Sequence, residues 1–99
     1  SLFKQAQEMQ SKMADVQRDL AEKKVEVSTG GGMVKIVANG VNEIISVHID
    51  DELINMNDRE VLEDLITGAI NEVHRKVKEL AQEEMTRFTG GIKIPGLFP

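Results

Sequence analysis

The spacing of apolar residues changes twice along this chain, and this change constrains the possible folds more than any other feature. Near the start, apolar residues recur at intervals of four and three, which is the period of an α-helix. These residues are Leu2, Ala6, Met9, Met13, Val16 and Leu20. Because this stretch contains neither glycine nor proline, the spacing predicts a helix over residues 2 to 23 that turns its apolar stripe toward internal packing.

The middle of the chain follows a different period, in which apolar and polar residues alternate as they do in β-strands. The alternating sets are Val25 and Val27, then Val34, Ile36 and Ala38, then Ile45, Val47 and Ile49. Three consecutive glycines at 30 to 32 permit the first chain reversal. Asn39-Gly40 is a preferred pair for a two-residue hairpin with positive φ at both positions. The pattern predicts a three-stranded antiparallel meander.

The helical period then returns and predicts a second long helix. Its apolar side comprises Leu62, Ile66, Ile70, Val73, Val77, Leu80 and Met85. Asn57 is the expected N-cap, and Glu60 would complete a capping box. Gly68 interrupts the run at about 1 kcal/mol relative to alanine, which suggests close packing against the sheet. We expect the helix to end at Gly90-Gly91.

These elements predict an α+β fold: an αβββα protomer with a three-stranded antiparallel sheet and two long flanking helices. The single domain would span residues 1–91, and residues 92–99 would form a flexible tail with a few apolar anchors. A helix of about 30 residues extends about 45 Å, whereas strands of this length extend only about 20 Å. Because the sheet cannot cover both helices, a two-fold homodimer is expected.

Composition restricts the compartment and the partners. The chain has 99 residues, no cysteine and a formal net charge of −5, and it shows no apolar run long enough to cross a bilayer and no secretory leader. We therefore expect a cytoplasmic protein without a membrane partner. Domains that coat nucleic acid by bulk attraction are usually strongly basic, so binding to nucleic acid would need a local basic patch.

Candidate catalytic groups are sparse. His48 and His74 belong to no metal-ligand spacing, and the glycine run lacks the G-K-[ST] ending of a phosphate-binding loop. The acidic residues 50 to 52 lack the spaced ligands of a calcium loop and are interpreted as a solvated turn. The sequence thus predicts a protein that is not an enzyme and uses neither a cofactor nor a small-molecule substrate.

The cations of the two helices allow two interpretations. Lys4 and Arg18 share one helical position with Ser11, and Lys12 lies on a flank, so together they could form a phosphate-facing stripe. Acidic residues lie three or four positions away and could instead pair with these cations on a solvated face. The densest positive cluster is Arg75, Lys76 and Lys78, flanked by Glu72 and Glu79. With only three phenylalanines and no tyrosine or tryptophan, single-stranded binding by base stacking is disfavoured.

Four segments together resemble the YbaB/EbfC family of bacterial nucleoid-associated proteins. They are "FKQAQEMQSKMADVQRDL", "EVSTGGGMVKIVANGVNEIISVHID", "LEDLITGAINEVHRKVKE" and "GGIKIPGLFP", and the likeness covers essentially the whole chain. The resemblance implies a tweezer-like homodimer that binds duplex DNA without a cofactor. It also implies a nucleoid location and a role in nucleoid organisation or gene regulation.

The resemblance nominates DNA-contacting cations on both helices. By position these are Lys4, Lys12, Arg18, Arg75, Lys76 and Lys78. The alternative is a homodimeric protein-protein adaptor without direct DNA binding, in which Met9, Met13 and neighbouring apolar residues receive another helix. The two functions differ in salt dependence, because only phosphate neutralisation makes affinity fall steeply with salt.

Overall fold

The computed structural model describes residues 1–88. The elements are α1 (Leu2–Glu22), β1 (Lys24–Thr29), β2 (Val34–Asn39), β3 (Ile44–Ile49), a short α2 (Asp51–Asn55) and α3 (Arg59–Phe88). This order confirms the αβββα prediction, with α2 as an added helix where a solvated turn was expected. Asp50 caps α2 by accepting a hydrogen bond from the Glu52 amide. The predicted helix end at Gly90-Gly91 and the predicted tail at 92–99 lie outside the described residues.

The three strands form an antiparallel sheet in the order β1-β2-β3, as predicted. The glycines at 30 to 32 all have positive φ and form the tight turn between β1 and β2. Ile45 was predicted to lie on the same face of β3 as Val47. This prediction is wrong, because the register of the β2–β3 pairing shifts between Val37 and Ala38. Ala38 pairs with Ile44, whereas Ile36 pairs with Val47, so a bulge shifts the pattern by one residue.

The expected two-residue hairpin at Asn39-Gly40 is also wrong. Asn39 is the last residue of β2, and the positive φ between β2 and β3 belongs to Asn42. The Asn39 side chain closes the longer loop by accepting hydrogen bonds from the amides of Val41 and Glu43. Gly40 instead permits a close approach, since its amide donates to the Leu20 carbonyl at the end of α1 at 2.8 Å.

Helix α3 packs against β1 and β2 and forms the main core with them. The buried members of this core are Val27, Val34, Ile36, Ala38, Leu53, Ala69, Val73 and Val77. Burial of each large side chain contributes about 1.5–3 kcal/mol. The apolar side differs from the prediction at Ile70, which is exposed, while Ala69 faces the sheet. Gly68 is also exposed, and a Cβ there would make an ordinary contact with Thr29 at 3.7 Å.

The start of α3 is capped by Asp58 rather than by the expected Asn57. The Asp58 carboxylate accepts a hydrogen bond from the Val61 amide at 3.2 Å. Asn57 has a φ of 53° and belongs to the connection that follows α2. The prediction failed because asparagine and aspartate are both favourable N-cap residues, so the sequence alone did not distinguish them. An N-cap residue requires an extended backbone, and Asn57 has the left-handed conformation instead.

Helix α1 packs against the C-terminal end of α3 and forms a second apolar cluster there. Val16, Leu20 and Met85 are buried in it, and Met13 and Phe88 pack against it half-buried. Only this half of the predicted α1 stripe is internal. Leu2 and Met9, which the sequence also placed in the packed stripe, are 85% and 53% exposed, because α1 extends beyond the part of α3 that the structure describes.

Strand β3 is an edge strand with an uncovered apolar face. Ile44 and Val47 pair with Ala38 and Ile36, so they share the sheet face on which α3 lies. Each is about half exposed, at 49% and 51%. None of the helices in residues 1–88 is long and apolar enough to cross a membrane.

Candidate nucleic-acid interface

The three nominated cations of α1 are all exposed, but their surroundings differ. Arg18 donates a hydrogen bond to the Asp15 carboxylate at 2.8 Å in an exposed i,i+3 pair. Lys4 and Lys12 make no ion pair within residues 1–88. A solvent-exposed pair of this kind contributes little to stability, so Arg18 can exchange Asp15 for another anion at small cost.

Arg75 on α3 is held between two carboxylates of its own helix. Its Nε donates to Glu72 at 3.1 Å, and its Nη1 donates to Glu79 at 2.7 Å. The hydrogen bond with Glu72 is the largest cause that raises the pKa of Arg75 above its ordinary value, and the same bond lowers the pKa of Glu72. The charge of Arg75 is therefore balanced locally before any phosphate approaches.

Lys76 and Lys78 lie on different sides of α3. Lys76 is half-buried and its Nζ approaches the Glu26 carbonyl of β1 at 3.4 Å. Lys78 is exposed and, within the described chain, takes part in no ion pair. Because successive helical residues are about 100° apart, Arg75, Lys76 and Lys78 do not form the single cluster that their spacing in the sequence suggested.

The sequence interpretation missed a charged cluster that joins the two helices. Glu84 of α3 is only 6% exposed, and its Oε1 accepts hydrogen bonds from both Lys23 and Arg87. The hydrogen bond from Lys23 is the main cause that lowers the pKa of Glu84, while burial opposes that shift. The only signal in the sequence was Arg87 three residues after Glu84, since Lys23 lies 61 positions away.

The residues considered for catalysis are not brought together. His48 is exposed on β3, and His74 is exposed on α3, where its Nδ1 lies 3.2 Å from the side-chain oxygen of Asn42. Across residues 1–88, no group of three histidine, cysteine or acidic side chains is arranged to hold a metal ion. The arrangement offers exposed cations on two long helices rather than convergent catalytic groups.

The fold and this distribution of charge define a small α+β protein in which two long helices carry solvent-facing lysines. The chain matches the model of the YbaB/EbfC DNA-binding family over residues 1–92, and it belongs to that family. This confirms the resemblance that the four sequence segments indicated. The comparisons give no support to the adaptor alternative.

Similar proteins carry the name nucleoid-associated protein. One from Thermoanaerobacter pseudethanolicus is 45% identical over 98 residues, which cover 99% of this chain and 88% of the relative. One from Desulfotalea psychrophila is 47% identical and covers 97% and 91% of the two chains. The crystal structure of an uncharacterized Helicobacter pylori protein has the same fold, with a TM-score of 0.80, 23% identity, and coverage of 89% of this chain and 92% of that one.

Proposed function

We propose that this chain binds duplex DNA as a homodimer and takes part in nucleoid organisation or gene regulation in the bacterial cytoplasm. The match to a DNA-binding family along nearly the whole chain is the observation that carries the proposal. The similar proteins named as nucleoid-associated support it. We expect no cofactor and no catalytic activity.

The nominated cations contribute unequally in this proposal. Lys4, Lys12 and Lys78 are exposed and make no ion pair within the described residues, so they can meet phosphates without losing a partner. Arg18 and Arg75 must first leave or share a carboxylate. Lys76 is positioned against β1 and contributes least. Backbone contacts of this kind bind phosphate without reading base sequence.

The salt dependence of duplex binding tests this assignment. The affinity of the wild type for a short random duplex should fall linearly on a log-log plot against salt, with a slope of about −0.9 per neutralised phosphate. A K4Q/K12Q/K78Q triple variant should lower the magnitude of that slope by about 2.7 for one chain if all three contacts are made. The matched control is K24Q/K35Q/R59Q, which removes three exposed cations outside the nominated set.

The outcomes distinguish an error in the nominated residues from an error in the proposed DNA-binding function. A slope that falls equally in both triple variants would mean that net charge, rather than the nominated lysines, determines binding. Wild-type protein that fails to bind duplex at low salt would refute DNA binding altogether.

The homodimer is supported by the uncovered edge of the sheet. Ile44 and Val47 are half exposed on the face that α3 covers elsewhere, and β3 pairs only with β2 in the described chain. An exposed apolar edge strand invites pairing with another strand, and a second copy of the chain supplies one. The dimer would also double each set of cations.

Light scattering tests this interface. Val47→Asp places a charge on the apolar face and should convert the dimer to a monomer at micromolar concentration. Ser46→Asp is the matched control, because Ser46 pairs with Val37 on the opposite face. A V47D variant with unchanged mass would show that β3 is not the interface, and a monomeric wild type would refute the dimer without touching DNA binding.

A further inference from the structure

The two outer strands of the sheet carry free backbone groups, and a hydrogen bond at the end of β2 shows which residues they belong to. The Asn39 amide donates to the carbonyl of Glu43, which precedes β3, so Asn39 directs its backbone to the β3 side. Backbone directions alternate along an antiparallel strand, and residues 34, 36 and 38 therefore bond to β1. Their partners there are residues 25, 27 and 29. Residues 24, 26 and 28 of β1 consequently direct their N–H and C=O groups away from the sheet.

The edge of β3 is open and apolar. Val47 pairs with Ile36, whose backbone groups are directed to β1, so the N–H and C=O groups of Val47 point away from the sheet. The Val47 side chain beside them is 51% exposed. Free backbone groups next to apolar surface favour pairing with another strand, and this is the edge used in the homodimer proposed above.

The edge of β1, by contrast, is covered by a charged side chain of α3. Lys76 is half-buried, and its Nζ lies 3.4 Å from the carbonyl oxygen of Glu26. Glu26 is the middle one of the three residues of β1 that direct their backbone groups outward. An added strand would bring an N–H group to the same oxygen at about 2.9 Å. The ammonium group of Lys76 therefore occupies the position that a partner strand needs at the centre of β1.

Beside Lys76 the space along β1 is open. A cleft of about 490 Å³ lies between β1 and α3. Gly68 lines this cleft without a side chain, and a Cβ there would contact only Thr29, at 3.7 Å. Glu72 also lines the cleft, but its carboxylate is bonded to Arg75 of the same helix. Within the described part of α3, Lys76 is thus the side chain that reaches the outward backbone groups of β1.

A strand that paired with β1 would have to displace or bury this ammonium group. Displacement removes its contact with the Glu26 carbonyl. Burial under a new strand is costly, because a buried charge needs a partner and Lys76 takes part in no ion pair within residues 1–88. Lysines on the edges of natural sheets prevent strand pairing between molecules for this reason.

We propose that Lys76 blocks the edge of β1 against pairing with another chain and so restricts self-association to β3. This inference rests on the homodimer proposed above, and it gives Lys76 a role other than phosphate contact. A dimer joined through β3 has one β1 edge on each side. Without the block, such dimers would associate further through these edges.

Removal of the Lys76 side chain tests the block in a chain whose β3 edge is disabled. The background is V47D, the variant that is expected to be monomeric. V47D/K76A should associate as its concentration rises, toward about twice the mass of V47D, in sedimentation equilibrium without DNA. V47D/K78A is the matched control, because Lys78 is an exposed lysine of the same helix that makes no ion pair within the described residues. It loses the same charge and should remain monomeric.

A proline in β1 identifies the surface through which V47D/K76A associates. The N–H group of Ser28 is directed away from β2, so Ser28→Pro removes a donor that an added strand needs and keeps the bonds between β1 and β2. V47D/K76A/S28P should therefore return to the mass of V47D. Circular dichroism of each variant verifies that the chain is folded.

Three results would overturn the proposal. The first is an equal mass of V47D/K76A and V47D at every concentration. The second is equal association of V47D/K78A, because loss of charge rather than the position of Lys76 would then be the cause. The third is association that persists in V47D/K76A/S28P, which would place the contact on another surface.

The same comparison in the otherwise native chain separates this inference from the homodimer. A mass that rises above that of the wild type in K76A but not in K78A supports the block, whether the wild type is a dimer or a monomer. Equal masses of K76A, K78A and the wild type would overturn the block and leave the β3 dimer untouched.

Discussion

Gly40 is the position at which a single added methyl group should be most disruptive. Its amide donates hydrogen bonds to the carbonyls of Leu20 at 2.8 Å and of Lys23 at 3.2 Å. A Cβ on residue 40 would lie 2.5 Å from the Leu20 oxygen and 3.0 Å from its Cα. Ordinary contact begins at 3.4 Å, and the opposing atoms are backbone, so Gly40→Ala must separate α1 from the sheet by about 1 Å.

The expected loss of stability follows from these contacts. Overpacking typically destabilises by about 1–3 kcal/mol, and the weakening of the hydrogen bonds of the Gly40 amide together adds roughly 1 kcal/mol. We therefore expect Gly40→Ala to lower the free energy of unfolding by about 2–4 kcal/mol. For a domain of this size the melting temperature should fall by roughly 10–25 °C.

Gly68→Ala is the matched control because it adds the same atom to another glycine of the chain. Gly68 is exposed on α3, and its Cβ would meet only Thr29 Cγ2, at 3.7 Å. The higher helix propensity of alanine should raise stability by about 0.5–1 kcal/mol. Urea unfolding followed by circular dichroism at one protein concentration gives both values. If the two variants shift the midpoint in the same direction, the contact between α1 and the β2–β3 loop is not as described.

Three further predictions concern the polar contacts. Lys23 holds the pKa of Glu84 below its ordinary value of 4.5, so the stability that this cluster contributes is present above about pH 4.5 and lost as the pH falls further. The midpoint of urea unfolding should therefore depend less on pH in E84Q than in the wild type across that range. E83Q, which changes an exposed neighbour, should keep the pH dependence of the wild type. Asn39→Ala leaves two loop amides without their acceptor and should cost about 1–3 kcal/mol, measured by the same unfolding assay. Thr29→Val removes the hydroxyl that donates to the Leu65 carbonyl at 2.8 Å and should lower the melting temperature by a few degrees, equivalent to about 1 kcal/mol.

The order of the two long helices and the three strands was predictable because each of them follows its own hydrophobic period, whereas the short α2 was not predicted. The stripe of α1 and the alternation of β1 and β2 needed only local spacing. The hairpin at Asn39-Gly40 was not predictable in the same way. Asn-Gly is a strong turn signal, but here Gly40 is required where the loop touches Leu20, and Asn39 is required as a hydrogen-bond acceptor for the loop. Both residues therefore serve contacts that the turn preference of the Asn-Gly pair does not take into account.

The charged residues show a second limit of sequence interpretation. Spacing correctly suggested that Arg18 and Arg75 could pair with acids three or four residues away. It could not show that Lys76 turns toward β1, because that depends on the rotation of α3 on the sheet. Nor could it show that Glu84 is buried, because its partner Lys23 becomes a neighbour only when α1 folds back along α3.

The contact between Leu20 and Gly40 fixes the C-terminal end of α1 to the sheet, while the N-terminal end of the helix lies far from this contact. The helix has 21 residues and is therefore about 31 Å long. A tilt of α1 by about 10° around the Leu20–Gly40 contact would displace its N-terminus by about 5 Å. Lys4 lies near the N-terminus that such a tilt would displace most, whereas α1 is held near the sheet by the apolar cluster around Leu20, by the Leu20–Gly40 backbone contact and by the Lys23–Glu84 ion pair. Substitutions in the apolar cluster around Leu20 should consequently alter the distance between Lys4 and the cations of α3 without removing any of them.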